Sequence, residues 1–318
     1  MWLRRFPSLI ALLGLLIGLV LVTGGYVKAL PEITLEGFAM DSYWRVSALL
    51  PQGPGQEFSL WLPGELERLD ERYDLFTPDS YLSRFNQGEV PADEELQRLL
   101  SKAEPFVALS GGAYQLDIAS LTQLWKDALA KEVPPDPAQV ERALSEVGED
   151  HLQLDLGSLL KGYAADLAYA NLKAAGAKRA LIDMGGTIRV LGRPSFWRGN
   201  WRVGVRNPQG SGTLGYFRLQ NGQAIATSGD YERGFDYQGR RYHHLLDPRT
   251  GYPAGEYRAV TVVTEDALTA DILSTLLFVA GPEVISQVEE VVPCRALFVD
   301  KKGKIEIYGS LNVEWVKN

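Results

Sequence analysis

The stretch Leu152-Gln153-Leu154-Asp155-Leu156-Gly157-Ser158-Leu159-Leu160-Lys161-Gly162-Tyr163 joins a strand to a helix through two glycines. Leu152 to Leu156 alternates apolar and polar residues, the pattern of a half-buried strand. Lys161 to Ala175 has a helical pattern and stops at Gly176. Ala180 to Asp183 is a buried strand, ended by Gly185-Gly186. Upstream, Tyr43 to Leu50 is a strand. A helix ending near Tyr73 places Leu62, Leu66 and Leu69 on one side, and Pro63 marks a possible regular start for it. Helices are predicted over Leu96 to Leu109, Ile118 to Ala130 and Ala138 to Val147. Downstream come strands at Ile188–Leu191, Trp201–Val205, Gly215–Leu219, Ala224–Ala226 and Val260–Val263, then a helix from Ala267 to Ala280. Ala296–Val299 and Ile305–Tyr308 form a closing hairpin. Strands and helices are mixed without strict β-α-β order, which predicts an α+β fold rather than a doubly wound sheet.

The N-terminus differs in kind. Arg4 and Arg5 precede an uncharged run from Phe6 to Val27, whose core Leu9 to Val22 is broken only by two glycines. A basic flank before an apolar stretch is a signal peptide or a membrane anchor. Residues 1–29 are therefore expected to be that segment, with the rest of the chain, residues 30–318, outside the cytoplasm. The net charge of −8 argues against nucleic acid as a partner. The single Cys294 cannot form an internal disulfide and is expected to be a buried strand residue.

Chemistry-bearing residues cluster in the turns and in one helix. His243-His244-Leu245-Leu246-Asp247-Pro248-Arg249-Thr250-Gly251 sets two histidines beside a carboxylate and a proline-set turn. In Asp271-Ile272-Leu273-Ser274-Thr275, Asp271 and Thr275 are four apart and share a helix face. Hard oxygen ligands of that kind suit Mg²⁺, although the spacing also arises by accident. The loop before Lys161 lets backbone approach a ligand, a helix N-terminus attracts phosphate, and Lys161 adds a cation. It is not a Walker loop, since GxxxxGK[ST] is absent. Ile182-Asp183-Met184-Gly185-Gly186-Thr187 can cradle a nucleotide or be an ordinary tight turn, and so can Ala226-Thr227-Ser228-Gly229-Asp230-Tyr231-Glu232-Arg233.

In order along the chain these pieces resemble the ApbE family of Mg²⁺-dependent FAD:protein FMN transferases. Ser80-Tyr81-Leu82-Ser83-Arg84-Phe85-Asn86 is similar to its S-x-L-S-x-x-N, and Leu121 to Trp125 to its L-x-x-L-W. Asp155-Leu156-Gly157 through Lys161-Gly162-Tyr163-Ala164-Ala165-Asp166 resembles D-L-G…K-G-Y-A-x-D. Asp183-Met184-Gly185-Gly186, Trp201 to Pro208, Thr227 to Tyr231, His244 to Gly251 and Ala270-Asp271 with Thr275 follow in the family's order. There are departures. Gln115, Asp117 and Ser120 stand where the family usually has Asp, Thr and Pro, and Thr187 where Asp or Asn often follows the glycine pair.

The resemblance implies one α+β catalytic domain, related to the T-fold, with FAD in its cleft. It implies attack by a Thr or Ser hydroxyl of an acceptor protein on the FMN-side phosphorus, with AMP leaving. Asp271 and Thr275 would hold Mg²⁺, with a loop carbonyl nearest Ser158 as third ligand. Lys161 would neutralise the diphosphate. His244 would be the general base, or else a turn histidine bonded to Asp247, and His243 would face solvent. Asn86, Asp183, Gly185, Gly186, Ser228 and Gly229 would contact flavin or nucleotide. The acceptor would belong to a membrane or periplasmic redox system at a bacterial inner membrane. Water in place of the hydroxyl would make a FAD pyrophosphatase, and loss of catalysis a flavin-binding protein.

Overall fold

The computed structural model describes residues 30–148, 152–195, 199–311 and 313–316. The predicted signal or anchor segment, residues 1–29, lies outside the described residues. Among those described, no helix is long and apolar enough to cross a membrane.

The frame is an eight-stranded sheet. Its strands are β1 (Glu32–Ala39), β2 (Ser42–Leu49), β3 (Arg179–Met184), β4 (Thr187–Gly192), β7 (Ala224–Gly229), β12 (Tyr257–Thr264), β13 (Arg295–Asp300) and β14 (Ile305–Tyr308), in that spatial order. Every neighbouring pair is antiparallel. Residues of the central strands point alternately to two cores, as the period of two demands. Ala224, Ala226, Val260, Val262, Ala296 and Phe298 face helices. Ile225, Ala259, Val263, Leu297 and Val299 face a second layer. That layer is a three-stranded sheet of β5 (Trp201–Arg206), β6 (Thr213–Leu219) and β15 (Val313–Trp315), which contributes Val203, Val205, Phe217 and Leu219. The mixed, antiparallel pairing bears out the α+β expectation.

The helices are α1 (Gln52–Tyr73), α2 (Tyr81–Asn86), α3 (Glu94–Leu109), α4 (Ala119–Lys131), α5 (Pro137–Ser145), α6 (Leu160–Ala174), α7 (Ala267–Ala280) and α8 (Ile285–Val291). Helix α7 is apolar on nearly every side and lies at the centre of the helical layer. Two small hairpins, β8 (Gly234–Tyr237) with β9 (Arg240–His243) and β10 (Leu246–Asp247) with β11 (Tyr252–Pro253), carry the loop that holds His244.

Helices α6 and α7 cap each other. Asp166 of α6 accepts from the Ala267 and Leu268 amides at 2.8 and 3.0 Å, filling orphan donors of the first turn of α7. In return Asp271 of α7 accepts from the Gly162 amide, in the first turn of α6, at 2.9 Å. Gly162 permits this approach, because a Cβ there would lie 2.4 Å from the Ala267 carbonyl oxygen.

One local expectation fails, and one point left open is resolved. Leu152 to Leu156 is not a strand, since only Leu154 pairs, in a single bridge to Asp117. Side chains replace the missing strand partner: the Asn86 amide both donates to the Leu154 carbonyl and accepts from its N–H, each at 2.9 Å. Helix α1 does not begin at Pro63 but runs through it from Gln52. Pro63 lies on the exposed side, and Leu62, Leu66 and Leu69 are in the core as expected.

Candidate functional site

A cleft of about 1210 Å³ opens between α4, α7, the loop before α6 and the turn that carries His244. It exceeds the ~300–1,000 Å³ of most small-molecule sites and so has room for a dinucleotide. Trp125, Ile118 and Leu129 give it an apolar wall, while Lys126, Lys161 and Arg233 give it cations. The Trp125 indole N–H donates to the Gly251 carbonyl at 2.7 Å, which ties α4 to the His244–Gly251 turn.

The polar end is built around Asp271, which is 5% exposed. Its Oδ2 accepts from the Gly162 amide, and its Oδ1 accepts from the Thr187 hydroxyl at 2.9 Å. Lys161 Nζ is 3.8 Å from Oδ1. Burial pushes the Asp271 pKa up, while the Lys161 charge and the two hydrogen bonds pull it back. Thr187, one of the departures from the family pattern, therefore holds the carboxylate in place. Thr275, one turn on, also lines the cleft, and its Oγ1 is 3.3 Å from Ser228 Oγ. A divalent cation fits this donor set. Lys161 is the counter-charge of the buried carboxylate, standing at 3.8 Å rather than in direct hydrogen-bond contact. Among the described residues no cluster of three or more His, Cys, Asp or Glu could hold a metal. The set is thus one carboxylate plus neutral oxygens, which suits Mg²⁺ rather than Zn²⁺.

Ser158 lines the cleft, and its hydroxyl lies 3.0 Å from the Tyr114 hydroxyl. Burial, more than the nearby carboxylates, raises the Tyr114 pKa, so it remains a neutral hydroxyl. His244 also lines the cleft. Its Nδ1 is 3.3 Å from the Arg233 carbonyl, which only accepts, so the proton is assigned to Nδ1 and Nε2 keeps its lone pair. Burial, assisted by the Arg233 charge, lowers its pKa to about 3, so the ring is neutral at physiological pH.

His243 is not the solvent-facing residue that the sequence predicts. It is 2% exposed. Its Nε2 is 2.8 Å from the Ala254 carbonyl, and its Nδ1 accepts from the Leu245 amide. The imidazole is held between two backbone groups and against Phe278, and desolvation lowers its pKa to about 4. Asp247 does not bond His244 but pairs with the Arg249 guanidinium.

Of the nucleotide-contact residues expected from the sequence, Gly185 and Ser228 line the cleft. Gly185 has φ 63°, and a Cβ there would lie 2.5 Å from Ser42 Cβ. Asn86, Asp183, Gly186 and Gly229 are not among the lining residues. Asn86 braces Leu154, and Asp183 accepts from the Gly186 amide to close its own turn. Gln115 does line the cleft, whereas Asp117 is buried behind it, bonded to the Gly148 and Gln153 amides. Sequence reasoning gave no role to Tyr114 or Glu232. Glu232 lines the cleft, where burial raises its pKa against the pull of Lys161.

Comparison with known proteins agrees with this architecture. Residues 40–298 match the ApbE family. A FAD:protein FMN transferase of Klebsiella pneumoniae (strain 342) is 34% identical over 239 residues, covering 68% of this chain and 72% of that one. One of Rhodobacter capsulatus is 31% identical over 251 residues, covering 72% of this chain and 44% of the relative. Among solved structures, the ApbE protein of Thermotoga maritima superposes with a TM-score of 0.78 at 31% identity, over 87% of this chain and 96% of its own. The flavin transferase ApbE of Vibrio cholerae gives 0.74 at 25% identity, over 88% and 97%. The class that fold and relatives together define is a transferase enzyme. Within that class, the chain belongs to the ApbE family.

Proposed function

We propose that this protein transfers FMN from FAD to a threonine or serine hydroxyl of an acceptor protein. The product is a phosphoester, AMP is released, and Mg²⁺ is required. The observation that carries the proposal is the buried Asp271 carboxylate in the cleft wall, flanked by Lys161 and Thr275, in a chain of the ApbE family.

The acceptor oxygen forms a bond to the FMN-side phosphorus as the bond from that phosphorus to the AMP oxygen breaks. The acceptor's proton passes to Nε2 of His244, the nitrogen left free by the Arg233 carbonyl. Lys161 offsets the charge that moves onto the leaving AMP. The apolar wall at Trp125 excludes water and supports the flavin ring. Asp271, Thr275 and a carbonyl of the Ser158 loop would hold Mg²⁺, which when bound polarises a phosphoryl oxygen. His244 is a weak base at its lowered pKa, which burial and the Arg233 charge hold down and the negative charge of a bound diphosphate would raise.

Residues 1–29 are proposed to anchor or export the domain, which would act on the periplasmic side of a bacterial inner membrane on a redox protein located there. A reporter fused at Asn318 should then be active only in the periplasm, and cytoplasmic activity would refute that placement. The activity is tested by co-expression with a candidate acceptor and intact-mass analysis. A covalent FMN adduct that disappears when the acceptor threonine is replaced supports transfer. AMP release without any adduct would make the protein a FAD pyrophosphatase, and flavin binding with neither would make it a carrier.

A further inference from the structure

The cleft wall carries a run of hydroxyls whose protons can be placed by elimination. Ser274 Oγ is 3.0 Å from the Asp271 main-chain carbonyl oxygen, which only accepts, so the one Ser274 proton points there. Ser228 Oγ is 2.9 Å from Ser274 Oγ, and this contact must therefore use the Ser228 proton. Ser228 has no proton left for Thr275 Oγ1 at 3.3 Å, so Thr275 donates. Ser228 and Ser274 are 7% and 1% exposed, which leaves water little access as a substitute partner.

We infer that Ser228 is a positioning residue for the cation site, turning the Thr275 proton toward itself and leaving the Thr275 lone pairs free for a cation. A hydroxyl ligates a cation through its oxygen, and a proton turned toward the cation would oppose binding. The order Thr275 to Ser228 to Ser274 to the Asp271 carbonyl fixes that orientation before any cation arrives. It also links the two proposed ligands, because the run ends on the main chain of Asp271. This assignment rests on the Mg²⁺ reading above and replaces the flavin contact that the sequence suggests for Ser228.

The test is a titration with Mn²⁺ alone, followed by electron paramagnetic resonance, on the wild-type protein and on Ser228→Ala, Ser274→Ala and Asp271→Asn. FAD binding is measured separately in chelator by flavin fluorescence. Ser228→Ala should raise the Mn²⁺ dissociation constant about tenfold, the scale seen when a group that orients a metal ligand is lost. Its FAD affinity in chelator should not change. Ser274→Ala should also weaken Mn²⁺, but less, because Ser228 can then turn its proton toward Thr275. If Ser228→Ala does not fold, Ser274→Ala carries the test, and wild-type Mn²⁺ affinity in it overturns the inference. Wild-type Mn²⁺ affinity in Ser228→Ala with weaker FAD binding returns Ser228 to a flavin contact. Binding lost in Asp271→Asn but kept in both serine variants sinks this inference alone. A wild-type protein that binds no Mn²⁺ overturns the metal reading and this inference with it.

Discussion

Replacing Asp271 by asparagine removes one charge from the cleft and almost no volume. The side chain is 5% exposed, so the new amide stays where the carboxylate was. Oδ1 and Oδ2 each accept one hydrogen bond at 2.9 Å, from Thr187 and Gly162. The amide oxygen can keep the Gly162 bond, and the Thr187 hydroxyl can turn to accept from the amide nitrogen. The fold should therefore lose only about 1 kcal/mol, the net scale of one altered hydrogen bond. The charge matters more. At 3.8 Å the attraction between Lys161 and Asp271 is roughly 4 kcal/mol at an effective dielectric near 20. Once released, Lys161 would still be placed to meet the diphosphate of the proposed substrate, so FAD binding should change by less than about threefold. Turnover should fall at least about a hundredfold, since metal polarisation of a phosphoryl oxygen is worth several kcal/mol and each ~1.4 kcal/mol is tenfold in rate. AMP release measured by chromatography with and without chelator, beside FAD titration by fluorescence, reads both quantities. Turnover within about threefold of wild type would show that the barrier does not depend on this carboxylate.

Three further outcomes follow from the packing. Gly162→Ala should destabilise the fold by at least about 2 kcal/mol in urea, because the added Cβ meets main chain on α7, and an unchanged midpoint would mean that the two helices approach less closely. Trp125→Phe orphans the buried Gly251 carbonyl and should cost about 1–3 kcal/mol in a thermal melt; no loss would show that the indole N–H bond is not formed. His243 has a folded-state pKa of about 4 against 6.5 unfolded, so its stability is present above pH 6.5 and is lost as pH falls toward 4. Wild type should lose up to roughly 3 kcal/mol more than His243→Gln across that window, and parallel pH curves would contradict the buried neutral imidazole.

The sequence carried the periodic parts of the fold well, because one helix or strand face is written within a few neighbouring residues. Helix α7 is found over Ala267–Ala280 as expected, and Asp271 and Thr275 share the cleft as their spacing of four requires. What stayed hidden depended on partners far along the chain. Asn86 reaches Leu154 across 68 positions, so an apparent strand there is held by a side chain instead. Tyr114 reaches Ser158 across 44, with no local pattern to announce it. His243 and His244 are adjacent where a strand ends, so one turns inward and the other toward the cleft, and only the register of β8 with β9 decides which. Thr187 looked like a departure from a motif, and only the fold shows that its hydroxyl meets Asp271.

The mutual capping of α6 and α7 has a consequence for how the protein opens. The amides of Gly162, Ala267 and Leu268 are bonded to carboxylates of the opposite helix rather than within their own. None can reach solvent by fraying of a single helix end; the two helices must part. Their hydrogen exchange should therefore proceed as one unit, slower than is usual for first-turn amides. A cation or nucleotide gripping Asp271 would slow all three together. Occupancy of the cleft would then be recorded in the backbone of both helices, including amides that touch no ligand.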